Sequence, residues 1–239
     1  MGVILNLETA TAVCSVALAV DGKIVALKET SEKNSHAAQI TPFISAVFAE
    51  AGLDFSQLDA IAVSQGPGSY TGLRISVSTA KGLCYALGKP LIAINTLQAM
   101  AFQAKKLIRP SDFDSENTLF CPMIDARRME VYCALFNASL AMIQKEKAMI
   151  IDQNSFEETL DKNPVVFFGD GAPKCKEYLV QHVHAIFYDN ILPSATAMIE
   201  FSEEKLKAKN FEDLAYFEPF YLKEFVAGKP KVKGLYTDK

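Results

Sequence analysis

A weak internal repeat constrains the fold of this chain more than any other feature of its sequence. The stretch GVILNLETATAVCSVALA (2–19) aligns with LFCPMIDARRMEVYCALF (119–136) at an offset of 117 residues. In both copies an apolar segment ends in an acid, Glu8 or Asp125, and a short turn leads into a second apolar segment. A repeat of this kind predicts that one supersecondary unit has been duplicated.

The segments that follow each copy also agree in order. A third strand is predicted in both, at 23–30 in the first, and the buried strand AIAVSQGPG (60–68) is echoed by VVFFGDGA (165–172). Helical spacing of apolar residues predicts helices over 35–51 and 70–87, which Gly52 and Gly88 terminate. The polar stretch RPSDFDSEN (109–117) predicts a boundary between two halves.

These patterns predict an α/β protein with two related lobes. Each lobe is a mixed five-stranded sheet flanked by helices, and the boundaries are 1–108 for the N-terminal lobe and 109–239 for a smaller C-terminal lobe, whose last helix can pack back on the first. In such a duplication the acids that end the first strands are expected to point into the cleft between the lobes, where ligands of α/β sheets bind.

Composition excludes several classes of function. A net charge of −4 and a pI near 5.5 leave no dominant basic surface for nucleic acid. The apolar N-terminus lacks a positive segment and is broken by polar residues, so neither a signal peptide nor a membrane span is expected. Five scattered cysteines with no C-x-x-C spacing are typical of a reducing compartment, and we expect a cytoplasmic protein.

The acid pair leaves two interpretations open. Glu8 and Asp125 could hold a hydrated Mg²⁺ for phosphoryl transfer, or each could order its own turn. The turn after Glu8, TATA, has no glycine, and phosphate-binding turns usually need one, so the second interpretation is favoured. We therefore expect no required cofactor, with residual binding of ATP or ADP and Mg²⁺ in a degenerate nucleotide cleft formed by Glu8, Thr9, Thr11, Gly66, Gly68 and Asp125.

The loop GPGSYTG (66–72) matches neither of two common phosphate-binding patterns, G-x-x-x-x-G-K-[ST] and G-x-G-x-x-G. The helix that follows this loop carries only small side chains along one ridge of its surface. Gly72, Ser76 and Ala80 recur every four residues, a spacing that allows close helix packing, either within the molecule or against a partner.

No histidine has a second histidine four residues away, since Ile40 follows His36 at that spacing, so no metal site is expected. DARRMEVY (125–132) is either a turn that satisfies its own charges or a contact for an anion or partner.

This chain resembles the TsaB (YeaZ) family along essentially its whole length. The resemblance is carried by four motifs, which occur in the order and at the separations found in that family: ILNLETATAVCSVAL, QGPGSYTGLRI, DARRMEVY and YLK. The resemblance implies the actin-like, sugar-kinase and heat-shock ATPase fold. It also implies a non-catalytic subunit in tRNA threonylcarbamoyladenosine modification, with TsaD-type and TsaE-type partners, a homodimer when alone, and contact with tRNA only through the complex. One departure is Glu8-Thr9-Ala10, where the family usually has Asp-Thr-Ser.

The resemblance further implies that the partner surface lies on the two helices of the N-terminal lobe. The residues expected there are His36, Ile40, Phe43, Ile44, Val47, Tyr70, Gly72, Leu73, Ser76, Val77 and Ala80, and Ser76 is expected to be exposed in the monomer. Two other functions remain as alternatives: an ATP-binding phosphotransferase or ATPase of the same superfamily, and a metallopeptidase (glycoprotease). No catalytic residue is predicted.

Overall fold

A computed structural model describes residues 2–32, 35–108 and 117–223, and it contains two five-stranded sheets. The first sheet has the order β3-β2-β1-β4-β5, with strands β1 (Val3–Glu8), β2 (Cys14–Val20), β3 (Lys23–Thr30), β4 (Ala60–Gly66) and β5 (Leu91–Asn95). The second has the order β10-β9-β6-β7-β8, with strands β6 (Leu119–Asp125), β7 (Glu130–Phe136), β8 (Met142–Ile150), β9 (Val165–Phe168) and β10 (Ala185–Phe187).

The two sheets have the same topology, and the predicted α/β fold with two duplicated lobes is confirmed. In each, the first three strands form an antiparallel meander and the last two run parallel to the first strand. The tight turn between β2 and β3 is made by Asp21 and Gly22, with φ of 52° and 74°. Asp and Gly tolerate these left-handed angles, which the two-residue hairpin turn demands.

Six helices accompany the sheets in the described part of the chain: α1 (His36–Ala51), α2 (Tyr70–Leu87), α3 (Thr96–Leu107), α4 (Glu157–Leu160), α5 (Ala172–Leu179) and α6 (Ile199–Ala208). Gly52 and Gly88 end α1 and α2 in the left-handed conformation, and the Ser69 side chain caps the start of α2 by accepting from the Gly72 N–H. Helices α1 and α2 pack on one face of the first sheet, while α4 and α5 pack on the second.

Helix α6 packs on the lobe opposite to its position in the sequence, and helix α3 lies between the two sheets with its larger cluster on the second. Leu97, Met100 and Ala104 of α3 share a core with Phe120 and Phe168 of the second sheet. Phe201 and Leu206 of α6 pack against the first sheet. The boundary predicted after residue 108 therefore follows a helix whose main packing is with the second sheet.

After α6 the chain returns along the first lobe as a segment without helix or strand, residues 211–223, which contains a turn at 214–216 and which we call the strap. Glu212 pairs with Leu91 at the edge of β5, and the Phe220 N–H donates to the Gln65 carbonyl at 2.7 Å. Leu214 and Phe217 pack against the core beneath α1 and α2. The sequence KEFVAGKPKVKG (223–234), which is rich in lysine, lies outside the described residues except for Lys223.

Candidate functional site

A cleft of about 690 Å³ opens between the two lobes. Its first wall is the turn between β1 and β2 together with the starts of α1 and α2, and its second wall is the turn between β6 and β7. The end of the strap closes one side. The polar residues that line it include Thr11, Ser69, Asp125, Arg127, Asp170 and Lys223.

On the first wall, the β1–β2 turn and the glycine loop are bonded to each other. The Ser69 N–H donates to the Ala10 carbonyl at 2.7 Å, and the Thr9 hydroxyl donates to the Gly72 carbonyl at 2.8 Å. A Cβ on Gly68 would lie 2.5 Å from the Ala10 carbonyl oxygen, and one on Gly72 would lie 2.1 Å from that of Thr9. The glycines thus permit close approach of two backbone segments, which is a structural role.

Glu8 lies behind this wall and does not line the cleft. Its side chain is 1% exposed, and its carboxylate accepts the Ala10 N–H at 2.6 Å. Burial raises the pKa of Glu8 to about 7, and the hydrogen bond from Ala10 offsets part of that effect. The expectation that both strand-end acids point into the cleft is therefore wrong for Glu8, because its carboxylate is buried and hydrogen-bonds to its own turn.

On the second wall, Asp125 does face the cleft, but it is already paired. Its carboxylate accepts the Arg127 N–H at 2.7 Å and forms an ion pair with Lys174. Asp170 accepts the Asp125 N–H at 3.1 Å, and burial raises the pKa of Asp170. The acid of DARRMEVY therefore forms its ion pair with Lys174 of α5, and its own turn contributes the Arg127 backbone N–H.

The backbone of this second turn is unusual. Arg127 and Arg128 both have positive φ, 69° and 51°, in a turn that the Ala126 N–H closes by donating to the Glu130 carbonyl at 3.1 Å. Two consecutive non-glycine residues in the left-handed region are uncommon. This geometry brings Arg127 to the lining of the cleft.

The strap meets both lobes at the mouth of the cleft. The Tyr221 ring lies 4.6 Å from the Tyr70 ring at the start of α2, and Arg74 packs over Tyr70 while donating to its hydroxyl at 3.1 Å. Lys223 then pairs with Glu130 of the second lobe. The sequence motif YLK therefore spans from one lobe to the other, a placement that no periodicity in the sequence indicated.

The predicted cleft residues divide into two groups. Thr11, Gly68 and Asp125 line the cleft, whereas Glu8, Thr9 and Gly66 lie behind it. Glu8 and Asp125 do not form a shared pair of Mg²⁺ ligands, because the first is buried and the second is paired with Lys174. The residues present therefore do not fit the metal-bridged nucleotide site that the strand-end acids suggest.

His36, at the start of α1, is buried, and its Nε2 lies 3.2 Å from the Val13 carbonyl oxygen. Within the described residues, no group of three or more His, Cys, Asp or Glu side chains is arranged to hold a metal ion. No described helix is long and apolar enough to cross a membrane.

Most of the residues predicted to contact a partner are instead buried within the first lobe. Nine of them are covered by the chain itself: His36, Ile40, Ile44, Val47, Gly72, Leu73, Ser76, Val77 and Ala80. The prediction that Ser76 is exposed in the monomer is wrong, since the residue is 0% exposed and its hydroxyl donates to the Leu73 carbonyl at 3.2 Å. The ridge of Gly72, Ser76 and Ala80 faces inward because Gly72 must approach the β1–β2 turn.

The outward surface of the same two helices carries a different set of small residues, which we call the two-helix face: Ala38, Thr41, Ser45 and Ala49 of α1, and Thr71, Ser78, Gly82 and Ala86 of α2. The small residues of α2 recur every four positions on both faces of the helix. The outward set is Ser78, Gly82 and Ala86, and the inward set is Gly72, Ser76 and Ala80. The charged residues beside it are already engaged, Glu50 with Lys28 and Arg74 with Tyr70.

Comparison with known proteins gives one consistent answer. The family model described as TsaD, tRNA N6-adenosine threonylcarbamoyltransferase, matches residues 23–228. The tRNA threonylcarbamoyladenosine biosynthesis protein TsaB of Haemophilus influenzae is 29% identical over 95% of both chains, and the protein of the same name from Escherichia coli K12 is 36% identical over 55% of this chain and 53% of its own.

Solved structures agree with these relatives. YeaZ from Pseudomonas aeruginosa superimposes with a TM-score of 0.76 at 25% identity, covering 93% of this chain and 100% of its own. The topology of two duplicated sheets, the match to the family model and the similarity to TsaB and YeaZ proteins all lead to the same family. The chain belongs to the family that the TsaD model describes, and within it to the TsaB (YeaZ) group.

Proposed function

We propose that the chain acts in tRNA threonylcarbamoyladenosine biosynthesis as a non-catalytic subunit. In this role it supports and activates a TsaD-type transferase, together with a TsaE-type ATPase, in the cytoplasm. The pathway is supported by the Haemophilus influenzae relative, which is named for this biosynthesis and aligns with 95% of the chain. Contact with tRNA is made only through the complex, in keeping with the net charge of −4.

The observation that carries the scaffolding role is the two-helix face. Small side chains on both helices allow a partner helix to approach closely, since interaxial distance depends on the side chains at the contact. The uncharged surface also costs little to desolvate, and interface cores are depleted in charge. When the chain is alone, the same face pairs two copies in a homodimer, which the TsaD-type partner displaces.

The cleft requires no cofactor under this proposal. The Ala10 N–H in the β1–β2 turn is engaged by Glu8, and the Ala10 carbonyl by Ser69. A phosphate group would have to displace these bonds to use that part of the turn. The closed turn supports a non-catalytic role for the fold.

The test is affinity for a purified TsaD-type protein, measured by titration calorimetry on the wild type and on Ser78→Arg. Ser78 is exposed in the middle of α2, so the longer side chain should leave the fold intact and weaken binding about 10-fold to 100-fold. Gln181→Arg, an exposed change of equal charge on the second lobe, is the matched control and should bind as the wild type does. Absence of wild-type binding at micromolar concentrations would contradict the proposal.

A second candidate is an ATP-binding phosphotransferase or ATPase, which the size of the cleft favours. A volume of about 690 Å³ is within the range of small-molecule sites, and Thr11, Asp125 and Asp170 line it. Calorimetry with Mg-ATP decides between the two. Micromolar binding that Asp125→Ala abolishes would support the second candidate, whereas no detectable heat supports the first.

A further inference from the structure

We propose that the partner interface extends from the two-helix face onto the strap, where Tyr216 and Tyr85 form its aromatic anchor. This inference rests on the proposed function and identifies residues that fix the TsaD-type partner. Tyr216 and Tyr85 are each 85% exposed. Aromatic side chains, tyrosine among them, are enriched in protein–protein interfaces relative to the rest of the surface.

Tyr216 is held on a rigid turn. The Asp213 carboxylate accepts the N–H groups of Ala215 and Tyr216, and the Phe217 N–H donates to the Asp213 carbonyl at 2.8 Å. Leu214 and Phe217, on either side, are partly buried and pack against the core of the first lobe. The backbone that presents the exposed ring is therefore fixed before any partner arrives, and preorganisation of this kind lowers the entropy lost on binding.

The backbone on either side of Tyr216 lies against the edge of α2 that carries Tyr85. The Lys81 ammonium donates to the carbonyl oxygens of Ala215 and Phe217, both at 3.1 Å, so the backbone on each side of Tyr216 is anchored to α2. Tyr85 follows Lys81 by four residues, and residues four apart are neighbours on a helix surface. Tyr85 thus occupies the border between the two-helix face and the strap.

The surface is continuous from α1 to the strap. On one side of α2, Ile75 shares the lining of the cleft with His36 and Ala37 at the start of α1. On the opposite side, Lys81 contacts the strap. Gly82 and Ser78 lie between these two borders, so a partner that sits on the two-helix face comes within reach of both tyrosines.

The negative charge of the strap favours a protein partner over nucleic acid. Residues 211–220, FEDLAYFEPF, contain Glu212, Asp213 and Glu218 but no lysine or arginine. A nucleic-acid backbone would be repelled by this segment. Tyrosine is enriched among the residues that dominate protein–protein binding energy, so the exposed rings suit a protein partner that offers pockets for them.

The experiment measures the affinity of full-length variants for a purified TsaD-type protein by titration calorimetry, with circular dichroism to confirm folding. Tyr216→Ala should raise Kd about 30-fold, which is the loss expected for a binding hot spot, and Tyr85→Ala should also weaken binding. Tyr216→Phe keeps the ring and should bind within about threefold of the wild type. Val183→Ala, at a residue 91% exposed on the second lobe, is the control and should have no effect.

The outcomes separate this inference from the function on which it rests. If the wild type binds and Tyr216→Ala binds equally well, the aromatic anchor is overturned while the proposed function stands. If the wild type does not bind at all, the proposed function fails, and the anchor fails with it. Weaker binding by Tyr216→Ala together with unchanged binding by Val183→Ala supports the anchor.

Discussion

Glu8 is a buried acid whose carboxylate orders the turn that follows it. The side chain ends β1, where a carboxylate could reach a cleft, yet it folds back to accept the Ala10 N–H. Burial raises its pKa to about 7, so near neutral pH the folded protein holds a partly protonated carboxyl group. The pKa of Glu8 is therefore expected to make the stability of the protein depend on pH.

We predict that Glu8→Gln removes this dependence. The folded pKa is raised above the unfolded value of 4.5, so the folded state binds more protons and the wild type loses stability as pH rises from about 4.5 to about 7. The full shift corresponds to about 3 kcal/mol. Gln does not titrate, so its stability relative to the wild type should increase across this range.

Urea denaturation of both proteins at pH 5, 6, 7 and 8 checks the effect of Glu8. The difference in unfolding free energy between the two proteins isolates Glu8 from the other titrating groups. Parallel pH profiles for the wild type and the variant would show that Glu8 has an ordinary pKa in the folded state.

At the scale of elements, helix α2 has two glycines with opposite roles. A Cβ on Gly72 would lie 2.1 Å from the Thr9 carbonyl oxygen, whereas one on Gly82 would meet nothing within 4 Å. We predict that Gly72→Ala destabilises the protein by about 1–3 kcal/mol, because the backbone must shift. Gly82→Ala should stabilise it by about 0.5–1 kcal/mol through helix propensity.

The two alanine variants serve as controls for each other, since the same chemical change is made in one helix. Thermal and urea unfolding of each should show shifts of opposite sign. Equal stabilisation by both substitutions would mean that the β1–β2 turn does not approach α2 at Gly72 as closely as the structure describes.

The sequence predicted the elements well and their orientation less well. The repeat at 2–19 and 119–136 predicted both meanders, and Gly52 and Gly88 marked the ends of α1 and α2. The buried face of α2 could not be chosen, because Gly72, Ser76 and Ala80 have the same spacing and size as Ser78, Gly82 and Ala86. The strap has no periodicity, and its position depends on contacts between residues far apart in sequence, such as Lys81 with Ala215.

For the whole molecule, the exchange of helices between lobes decides how the protein unfolds. The first half of the chain supplies α3 to the core of the second sheet, through Leu97, Met100 and Ala104. The second half supplies α6 and the strap to the first sheet. Each half leaves one apolar face of its sheet uncovered without the other half, so separating the lobes would expose those two faces to water.

We therefore predict that the two lobes unfold in one cooperative transition, although each has its own sheet. Calorimetry should give a single peak in which the calorimetric and van't Hoff enthalpies agree, as in a two-state protein. Residues 1–108 expressed alone should fail to show such a transition, because α3 would present Leu97 and Met100 to solvent. Two resolved peaks for the full chain, or cooperative unfolding of the 1–108 fragment, would mean that the exchanged helices add little to the coupling between lobes.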